Sequence, residues 1–261
     1  MIQVRDLCKS FNGRQVLCNV SLDVFKGERL AIIGRSGSGK SVLMKHLIGL
    51  LRPDDGHIMV DGKDLATISY RDLRSVRKGF GVLFQGGALF DSMTVFDNVA
   101  FPLRTFARET EAAVRARVEE CLALVKLSDA AGKKPSEISG GMQKRAALAR
   151  AIALEPRYIL YDEPTSGLDP ETSNTIDELI KSLSEEMNVT SIVVTHDMHS
   201  VLSIADRAAF IHEGTLRWIG TIPELHAADD EVLLAFVKAN EYQIGALPGA
   251  HLGASPEPAR V

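Results

Sequence analysis

A glycine-rich loop near the N-terminus has the residue types and spacing of a phosphate-binding loop. Residues 34–41 read GRSGSGKS, which matches the pattern G-x-x-x-x-G-K-[S/T]. Glycines let successive backbone N–H groups converge on a phosphate, and the helix that follows adds a favourable dipole. Lys40 would then reach the β- and γ-phosphate oxygens, and Ser41 would ligate Mg²⁺. The residues predicted to hold the nucleotide here are Gly34, Arg35, Ser36, Gly37, Ser38, Gly39, Lys40 and Ser41.

The sequence around this loop argues against a chance match. The apolar run RLAII precedes it and the helical run SVLMKHLIGLL follows it, which is the strand–loop–helix context that the motif requires. The alternative is a Gly/Ser turn with an incidental lysine, expected in on the order of 1 in 100 chains of this length at the usual frequency of glycine. The loop predicts a nucleotide site but leaves its chemistry open, because kinases, GTPases and motor ATPases share it.

Two adjacent acidic residues follow a second apolar run. YILYD at 158–162 predicts a buried strand that ends in Asp162, and Glu163 comes directly after it. Asp162 suits direct or indirect coordination of Mg²⁺, whereas Glu163 can turn toward the γ-phosphate and act as the general base for an attacking water. A strand that ends in Asp-Glu also occurs for purely structural reasons, so this pair alone leaves both interpretations open.

The segment ISGGMQKRAALARAIA at 138–153 predicts an anion site at a helix N-terminus. Ser139 is positioned to cap the helix, and Gly140 and Gly141 leave its first N–H groups open. A plain capped helix would explain Ser139 but not two consecutive glycines, since glycine costs about 1 kcal/mol in a helix interior. We therefore expect another group to approach this backbone closely.

Strand and helix patterns place these residues in an α/β fold. Short apolar runs separated by turn residues predict strands and hairpins in the first third of the chain: RLAIIG at 29–34, HIMVDG at 57–62 and GFGVLF at 79–84. A helix is predicted at 109–127 from apolar residues spaced by three and four. YILYD, a helical pattern that begins after Asp169 and Pro170, and TSIVVT at 190–195 form a strand–helix–strand unit, which predicts a parallel sheet.

Composition and charge exclude several classes of protein. The 261 residues are 45% hydrophobic and 25% charged, as in ordinary globular chains, and the net charge of -4 offers no overall basic field for nucleic acid. The three cysteines never form C-x-x-C, so neither a disulfide framework nor a zinc site is indicated. Without a run of about 18 apolar residues or the apolar stretch of a signal peptide, the chain is expected to stay in the cytosol.

In their order, these motifs resemble the ATPases of ABC transporters. The resemblance covers about residues 1–225 and rests on GRSGSGKS, Gln85, ISGGM, YILYDEPTSGLD and His196. It implies ATP and Mg²⁺ as ligands, and it makes Gln85 the Q-loop residue that touches Mg²⁺ and water and senses a membrane partner. It also implies that His196 contacts the γ-phosphate, that Asp169 belongs to the D-loop, and that Phe11 stacks on adenine. Taken singly, these four would more often be a surface polar group, a structural histidine, a helix cap and a core aromatic residue.

The same resemblance implies that one chain cannot catalyse alone. Ser139, Gly140 and Gly141 would form the signature that closes on ATP bound to a second ATPase subunit. Two ATP molecules would then lie in the head-to-tail interface of a homodimer, which alternates between closed and open forms. The expected catalytic residues are Lys40, Gln85, Glu163 and His196, and the expected metal ligands are Ser41, Gln85 and Asp162.

Met142 stands where the family usually carries glutamine. Together with LFQGGALFDSMTVFDNVAFPL at 83–103 and KSVLMKHLIGLL at 40–51, it resembles the Mla/MCE group of ATPases, which energise lipid movement between membranes. That resemblance implies separate transmembrane permease subunits and an MCE-type lipid-binding protein as partners. The apolar residues after Gln85 either form a groove for a permease helix or pack inside the helical subdomain, and the sequence leaves both open. They are Leu89, Phe90, Met93, Val95 and Phe96.

The combined expectation is an α/β P-loop NTPase core of the ABC ATPase type, with an antiparallel β subdomain and a helical subdomain at about 86–156. The ATPase domain would span 1–240, and residues 241–261, rich in Gly, Ala and Pro, would form a flexible tail. The expected function is ATP hydrolysis coupled to movement of lipid, specifically phospholipid, at the cytoplasmic face of the inner membrane.

Other functions use the same loop or the same family of cassettes. Transport of another hydrophobic or small solute is the nearest alternative, and a soluble ABC ATPase that acts on nucleic acid or ribosomes is an alternative from a different class. That second class typically has tandem cassettes or long coiled-coil insertions, which this chain lacks. ISGGM and the Asp162-Glu163 pair argue against a kinase, and the presence of both Lys40 and Glu163 argues against a non-catalytic regulatory cassette.

Overall fold

Two β-sheets with helices packed around them make up residues 1–240, the part of the chain that this computed structural model describes. The tail predicted at 241–261 lies outside the described residues. In chain order the strands are β1 (Ile2–Phe11), β2 (Arg14–Val24), β3 (Arg29–Ile33), β4 (Asp55–Val60), β5 (Lys63–Asp64), β6 (Phe80–Leu83), β7 (Tyr158–Asp162), β8 (Thr190–Thr195), β9 (Arg207–His212) and β10 (Thr215–Thr221). The helices are α1 (Lys40–Leu47), α2 (Tyr70–Lys78), α3 (Val95–Phe106), α4 (Glu111–Leu124), α5 (Gly140–Ile152), α6 (Pro170–Glu186), α7 (Met198–Ile204), α8 (Ile222–His226) and α9 (Glu231–Asn240).

The larger sheet carries the predicted phosphate loop and carboxylates. Its strand order is β10-β9-β3-β8-β7-β6, and its strands run parallel except for β10, which pairs antiparallel with β9. The predicted strand–helix–strand unit is β7, α6 and β8, with Tyr158 paired to Thr190. Because the carboxyl ends of parallel strands meet at one edge, the residues that follow β3, β6, β7 and β8 lie close together there.

Two runs predicted among the N-terminal strands and hairpins belong to this parallel sheet instead. RLAII is β3, which lies between β8 and β9, and FGVL is β6, which lies at the edge beside β7. The physical reason is burial: four of the five β3 residues are buried, as expected for a strand covered on both faces. The prediction of strands was right, and the prediction of local hairpins held for the other sheet.

The smaller sheet is antiparallel and contains the N-terminus. Its order is β2-β1-β4-β5, and β1 pairs with both β2 and β4. Ile2, Val4 and Leu7 of β1 are buried in a cluster that also holds Leu43 and Met44 of α1. Full burial of such a side chain stabilises the fold by about 1.5–3 kcal/mol. The sheet thereby anchors the helix that follows the phosphate loop.

Helices α3, α4 and α5 form a separate layer beside the edge of the large sheet. The helix predicted at 109–127 is α4, which Thr110 caps by accepting a hydrogen bond from the Ala113 N–H at 3.3 Å. Its buried residues are those that the spacing predicts, and they join one cluster with α3 and α5. Together with the two sheets, this layer matches the predicted α/β core with an antiparallel sheet and a helical region.

Candidate functional site

The predicted phosphate loop connects β3 to α1 and has no room for a side chain at its first residue. Gly34 has φ 151°, and a Cβ atom there would lie 2.3 Å from the carbonyl oxygen of Ile211 in β9. Real Cβ atoms do not approach a backbone oxygen this closely, so the position requires glycine. The loop is therefore held against β9, and α1 begins directly after it with an open N-terminus.

Lys40 is buried within this loop and donates to the loop itself. Its Nζ donates to the carbonyl oxygens of Gly34 at 2.7 Å and Arg35 at 3.1 Å. Burial lowers the pKa of the ammonium, and the charges of Glu163 and Asp162 oppose that shift. A buried cation with two carboxylates nearby is a site where additional negative charge is favourable.

A buried hydroxyl group beneath the loop lacks a hydrogen-bond partner among residues 1–240. The hydroxyl oxygen of Ser38 is buried and forms no hydrogen bond with any residue of 1–240. Ser41, by contrast, is exposed at the first turn of α1. An unpartnered buried oxygen beside an open helix N-terminus fits a loop that completes its hydrogen bonds around a bound phosphate group.

Asp162 and Glu163 lie at the carboxyl end of β7. Asp162 is its last residue and is half-buried, and burial followed by the charge of Glu163 raises the pKa of its carboxyl. Glu163 has φ 47°, in the left-handed region, and its N–H donates to the carbonyl oxygen of Val194 in β8 at 2.8 Å. The backbone therefore leaves the extended conformation of β7 at Glu163.

The carboxylate of Glu163 is held by the end of β8. His196 Nδ1 lies 3.0 Å from Glu163 Oε1, and the hydroxyl of Thr195 donates to Oε2 at 3.3 Å. The Glu163 side chain is largely buried, at 15% exposure, whereas that of His196 is 58% exposed. Two neighbours thus fix the orientation of this carboxylate, and one of them is a histidine.

Gln85 follows β6 and reaches the same region from the edge of the sheet. Its Nε2 donates to the hydroxyl of Ser166 at 3.2 Å, which links the segments after β6 and β7. These residues line one cavity of about 540 Å³ at the carboxyl edge of the large sheet. The predicted residues that line it are Arg35, Ser36, Gly37, Gly39, Lys40, Ser41, Gln85, Asp162, Glu163 and His196.

Several predicted residues lie outside the lining of this cavity. Gly34 and Ser38 belong to the loop but do not line the cavity. Phe11 lies at the end of β1, and the Lys9 ammonium is 5.5 Å from the centre of its ring. Phe11 is 40% exposed, and its stacking role stays a prediction. The segment Ser139–Gly141 and Asp169 lie elsewhere on the same chain.

Ser139, Gly140 and Gly141 begin α5, and Thr172 connects them to Asp169. The Ser139 hydroxyl accepts a hydrogen bond from the Met142 N–H at 3.3 Å. A Cβ atom on Gly141 would lie 2.4 Å from Thr172 Cγ2, so α5 and α6 touch at this glycine. Thr172 in turn donates to Asp169, which caps α6, through its N–H at 2.9 Å and its hydroxyl at 2.6 Å.

The structure adds residues that the sequence patterns did not single out. Val16, Val42, Phe236 and Asn240 also line the cavity. No local motif marks Val16 or the residues of α9, because strand and helix packing alone bring them there. Lys144 of α5 is buried and donates to the backbone near Gln85 and Glu163. The signal that could have found it is a lysine on the helix face that also carries the buried residues Gly141 and Leu148.

A second cavity, of about 530 Å³, lies beside β6 and away from the phosphate loop. Phe90, Phe101 and Phe106 line it and are exposed, with the rings of Phe90 and Phe101 4.8 Å apart. Of the apolar residues predicted after Gln85, Val95 is buried, and Leu89 and Phe96 pack partly against the core. The segment therefore contributes both to internal packing and to this groove, hereafter the phenylalanine groove.

Residues 1–240 contain neither a membrane-spanning helix nor a cluster of metal-binding side chains. No helix there is both long enough and apolar enough to cross a membrane. In the same part of the chain, no three His, Cys, Asp or Glu side chains converge into a group that could hold a metal ion by themselves.

Comparison with known proteins gives consistent matches. A family model described as ABC transporter matches residues 17–166. The Haemophilus influenzae protein named "Intermembrane phospholipid transport system ATP-binding protein MlaF" is 46% identical over 238 residues, which cover 91% of this chain and 90% of the relative. The Mycobacterium leprae protein named "Probable ribonucleotide transport ATP-binding protein mkl" is 43% identical over 236 residues, which cover 90% of this chain and 68% of the relative. A solved dimeric ATP-binding cassette in a post-hydrolysis state, bound to ADP and Pi, matches with a TM-score of 0.78 at 32% identity, covering 85% of this chain and 99% of that chain.

Proposed function

Because this chain belongs to the ABC transporter family, we propose that it is the ATP-hydrolysing subunit of a system that moves phospholipid across or between membranes. The observation that carries the ATPase proposal is the single cavity at the carboxyl edge of the large sheet. It gathers a buried lysine, two adjacent carboxylates, a glutamine and a histidine from four different strand ends. Such a set suits transfer of a phosphoryl group to water, because that reaction depends on positioning and on charge stabilisation.

Each side chain has a role that its contacts support. Lys40 lies where its ammonium can exchange the loop carbonyls for the β- and γ-phosphate oxygens. Glu163 accepts a proton from the attacking water, and His196 Nδ1 holds that carboxylate in place while Nε2 remains available to the γ-phosphate. Gln85 belongs to the segment after β6, so a displacement of that segment would move the Gln85 side chain relative to the attacking water.

Mg²⁺ fits the residues beside the loop. Asp162 is a half-buried carboxylate with a raised pKa, and a divalent cation beside it would relieve the cost of its charge. Ser41, Gln85 and Asp162 would hold the ion together with phosphate oxygens, which are the hard oxygen ligands that Mg²⁺ prefers. The ion would neutralise charge that develops on the transferred phosphoryl group.

Catalysis requires a second copy of the chain in this proposal. Ser139–Gly141 lies outside the cavity of its own chain, and Gly140 is exposed at the N-terminus of α5. An open helix N-terminus favours an anion, so we propose that it contacts the γ-phosphate bound by the partner. The dimeric cassette among the solved relatives supports this arrangement.

Replacing Glu163 with Gln tests the general base. Glu163→Gln should bind ATP with unchanged affinity and lose hydrolysis by at least about 100-fold, because the amide cannot accept the proton. Glu178→Gln, an exposed change on α6, is the matched control and should keep full activity. Steady-state phosphate release and ATP-dependent dimer formation on size exclusion are the measurements. Undiminished hydrolysis in Glu163→Gln would refute the assignment.

The phenylalanine groove is proposed as the contact for a separate transmembrane permease. Its exposed rings are apolar, and Arg74, Arg77 and Lys78 line the same cavity. An amphipathic permease helix with acidic residues fits such a groove. This contact would place the chain at the cytoplasmic face of the inner membrane, where an MCE-type lipid-binding protein would complete the system.

Affinity capture tests both the contact and the substrate class. The full-length chain would be captured from detergent-solubilised membranes of its source, and co-purifying chains identified by mass spectrometry. Phe90→Ala with Phe101→Ala should lose the permease, whereas Phe25→Ala, an equally exposed ring packed on Arg207, should retain it. An MCE-type protein among the captured chains supports phospholipid. A conventional solute-binding protein would support the transport of a small solute instead, and capture of soluble nucleic-acid machinery alone would overturn the transporter proposal.

A further inference from the structure

The buried ammonium of Lys144 joins two segments that come from different strands. Lys144 lies in the first half of α5 and is 6% exposed, although lysine is rarely found inside proteins. Its Nζ donates to the backbone carbonyl of Gln85, after β6, and to that of Glu163, after β7, the second at 3.3 Å. Burial lowers the pKa of this ammonium, against the opposing charges of Asp162 and Glu163. Two carbonyls and the nearby carboxylates therefore compensate one buried charge.

Both carbonyls belong to residues whose side chains line the cavity. Gln85 also donates through Nε2 to the hydroxyl of Ser166 at 3.2 Å, and the Ser166 N–H donates to the same Glu163 carbonyl at 3.2 Å. Lys144, Gln85, Ser166 and Glu163 thus form a closed ring of hydrogen bonds. Lys144 is the member of this ring that comes from α5, so it fixes the backbone of Gln85 and Glu163 relative to that helix.

Helix α5, which carries Lys144, begins with Ser139–Gly141, the segment proposed to contact the nucleotide of a second copy of the chain. Gly140 and Lys144 are four residues apart, which is about 6 Å along a helix. A helix moves as a rigid element over this length, so a displacement of its N-terminus also displaces the Lys144 ammonium. The contacts of Lys144 then change at Gln85 and Glu163 together.

We propose that Lys144 is a positioning residue, which couples the location of Ser139–Gly141 to the placement of Gln85 and Glu163 in the same chain. When the α5 N-terminus contacts the partner's nucleotide, the Lys144 ammonium is positioned against the carbonyl oxygens of Gln85 and Glu163. These two contacts in turn fix the positions of the Gln85 and Glu163 side chains. Each nucleotide site thereby responds to the state of the other. This inference rests on the proposed ATPase function.

Arg150 supplies a matched control on the same helix. Its guanidinium donates to the carbonyls of Gly87 at 2.8 Å and Ala88 at 2.7 Å, so it holds the same loop two and three residues further along. The contacts of Arg150 do not include Gln85 or Glu163. Loss of Arg150 therefore removes a half-buried cation from α5 and loosens the loop without breaking the ring.

The experiment compares Lys144→Met, Lys144→Arg and Arg150→Met in the full-length chain. Lys144→Met should lower kcat for ATP by about tenfold or more, leave KM within about twofold, and reduce the Hill coefficient for ATP to one. Lys144→Arg keeps the charge and should recover part of kcat. Arg150→Met should leave kcat within about twofold.

Hydrogen–deuterium exchange gives a readout that does not depend on turnover. Lys144→Met should speed exchange at both the 85–88 and the 163–166 segments, whereas Arg150→Met should speed it at 85–88 alone. An unchanged kcat in Lys144→Met, or exchange at 163–166 that rises equally in both variants, overturns the inference. Absence of hydrolysis in the unmodified chain would refute the proposed function instead. The exchange data alone would then decide whether Lys144 fixes the 85–88 and 163–166 segments together. If Lys144→Met does not fold, Lys144→Arg provides the test. Altered exchange at 163–166 in Lys144→Arg, together with a normal kcat and Hill coefficient, would overturn the inference.

Discussion

Replacing Gly141 with alanine places a methyl group where α5 touches α6. The added Cβ would lie 2.4 Å from Thr172 Cγ2, whereas the same change at Gly140 would meet only Leu168 Cδ2 at 3.7 Å, an ordinary contact. Thr172 cannot rotate away without losing its hydroxyl bond to Asp169, which is 2.6 Å long. Gly141→Ala must therefore separate the two helices or break this bond.

The expected cost follows from comparing the two neighbouring glycines. Both changes gain up to about 1 kcal/mol of helix propensity, so this gain cancels in the difference. Overpacking a closed contact costs about 1–3 kcal/mol. For a chain of this size, each kcal/mol lowers the melting temperature by about 2–4 °C. Gly141→Ala should therefore melt roughly 2–12 °C below Gly140→Ala.

Thermal and urea unfolding of the full-length variants, followed by circular dichroism, measures this difference. Thr172→Ser removes the clashing methyl group and keeps the hydroxyl that donates to Asp169, so the double variant Gly141→Ala with Thr172→Ser should regain most of the loss. Equal stability of the Gly140 and Gly141 variants would refute the packing argument. Failure of the serine to rescue Gly141→Ala would show that the cost arises elsewhere.

Three further outcomes are expected. Burial is the main cause that raises the pKa of Asp177 to about 7. The folded chain therefore binds this proton more tightly than the unfolded chain and loses stability as pH rises from about 4 to 7. Asp177→Asn should flatten this pH dependence of the free energy of unfolding, measured by urea titration, and an unchanged slope would contradict the prediction. Burial raises the pKa of the Cys121 thiol to about 11, so at pH 8 a maleimide should leave it unlabelled until the chain is denatured, as mass spectrometry would reveal. Gly34→Ala would force a Cβ to within 2.3 Å of the Ile211 carbonyl oxygen and should abolish ATP binding in calorimetry, while normal affinity would disprove the close approach.

The parts of the site that depend on local sequence could be predicted. The phosphate loop, the Asp162-Glu163 pair and the helix caps at Ser139 and Asp169 are encoded within a few residues, so spacing alone identifies them. The family and the α/β fold class followed from the order of these motifs, and the comparisons confirm both.

Features that depend on contacts between distant segments could not be predicted. Lys144 meets the carbonyl of Gln85 across 59 positions of the sequence, and no periodicity encodes which loop a buried lysine faces. The phenylalanine groove combines Phe90 with Phe101 and Phe106 of α3, and no local pattern encodes that these exposed rings line one cavity. Hairpins were expected around RLAII for the same reason: a short apolar run does not specify its neighbours.

The edge position of β6 has a consequence for how this chain can diversify. Within the described residues, β6 pairs only with β7. Its residues Phe80 and Val82 line the phenylalanine groove, and Gln85, which follows it, lines the nucleotide cavity. An edge strand tolerates new side chains on its free flank more readily than a central strand, because fewer neighbours must adjust. Under the proposed function, substitutions at this rim would therefore change which permease the chain binds while the residues that line the nucleotide cavity stay the same.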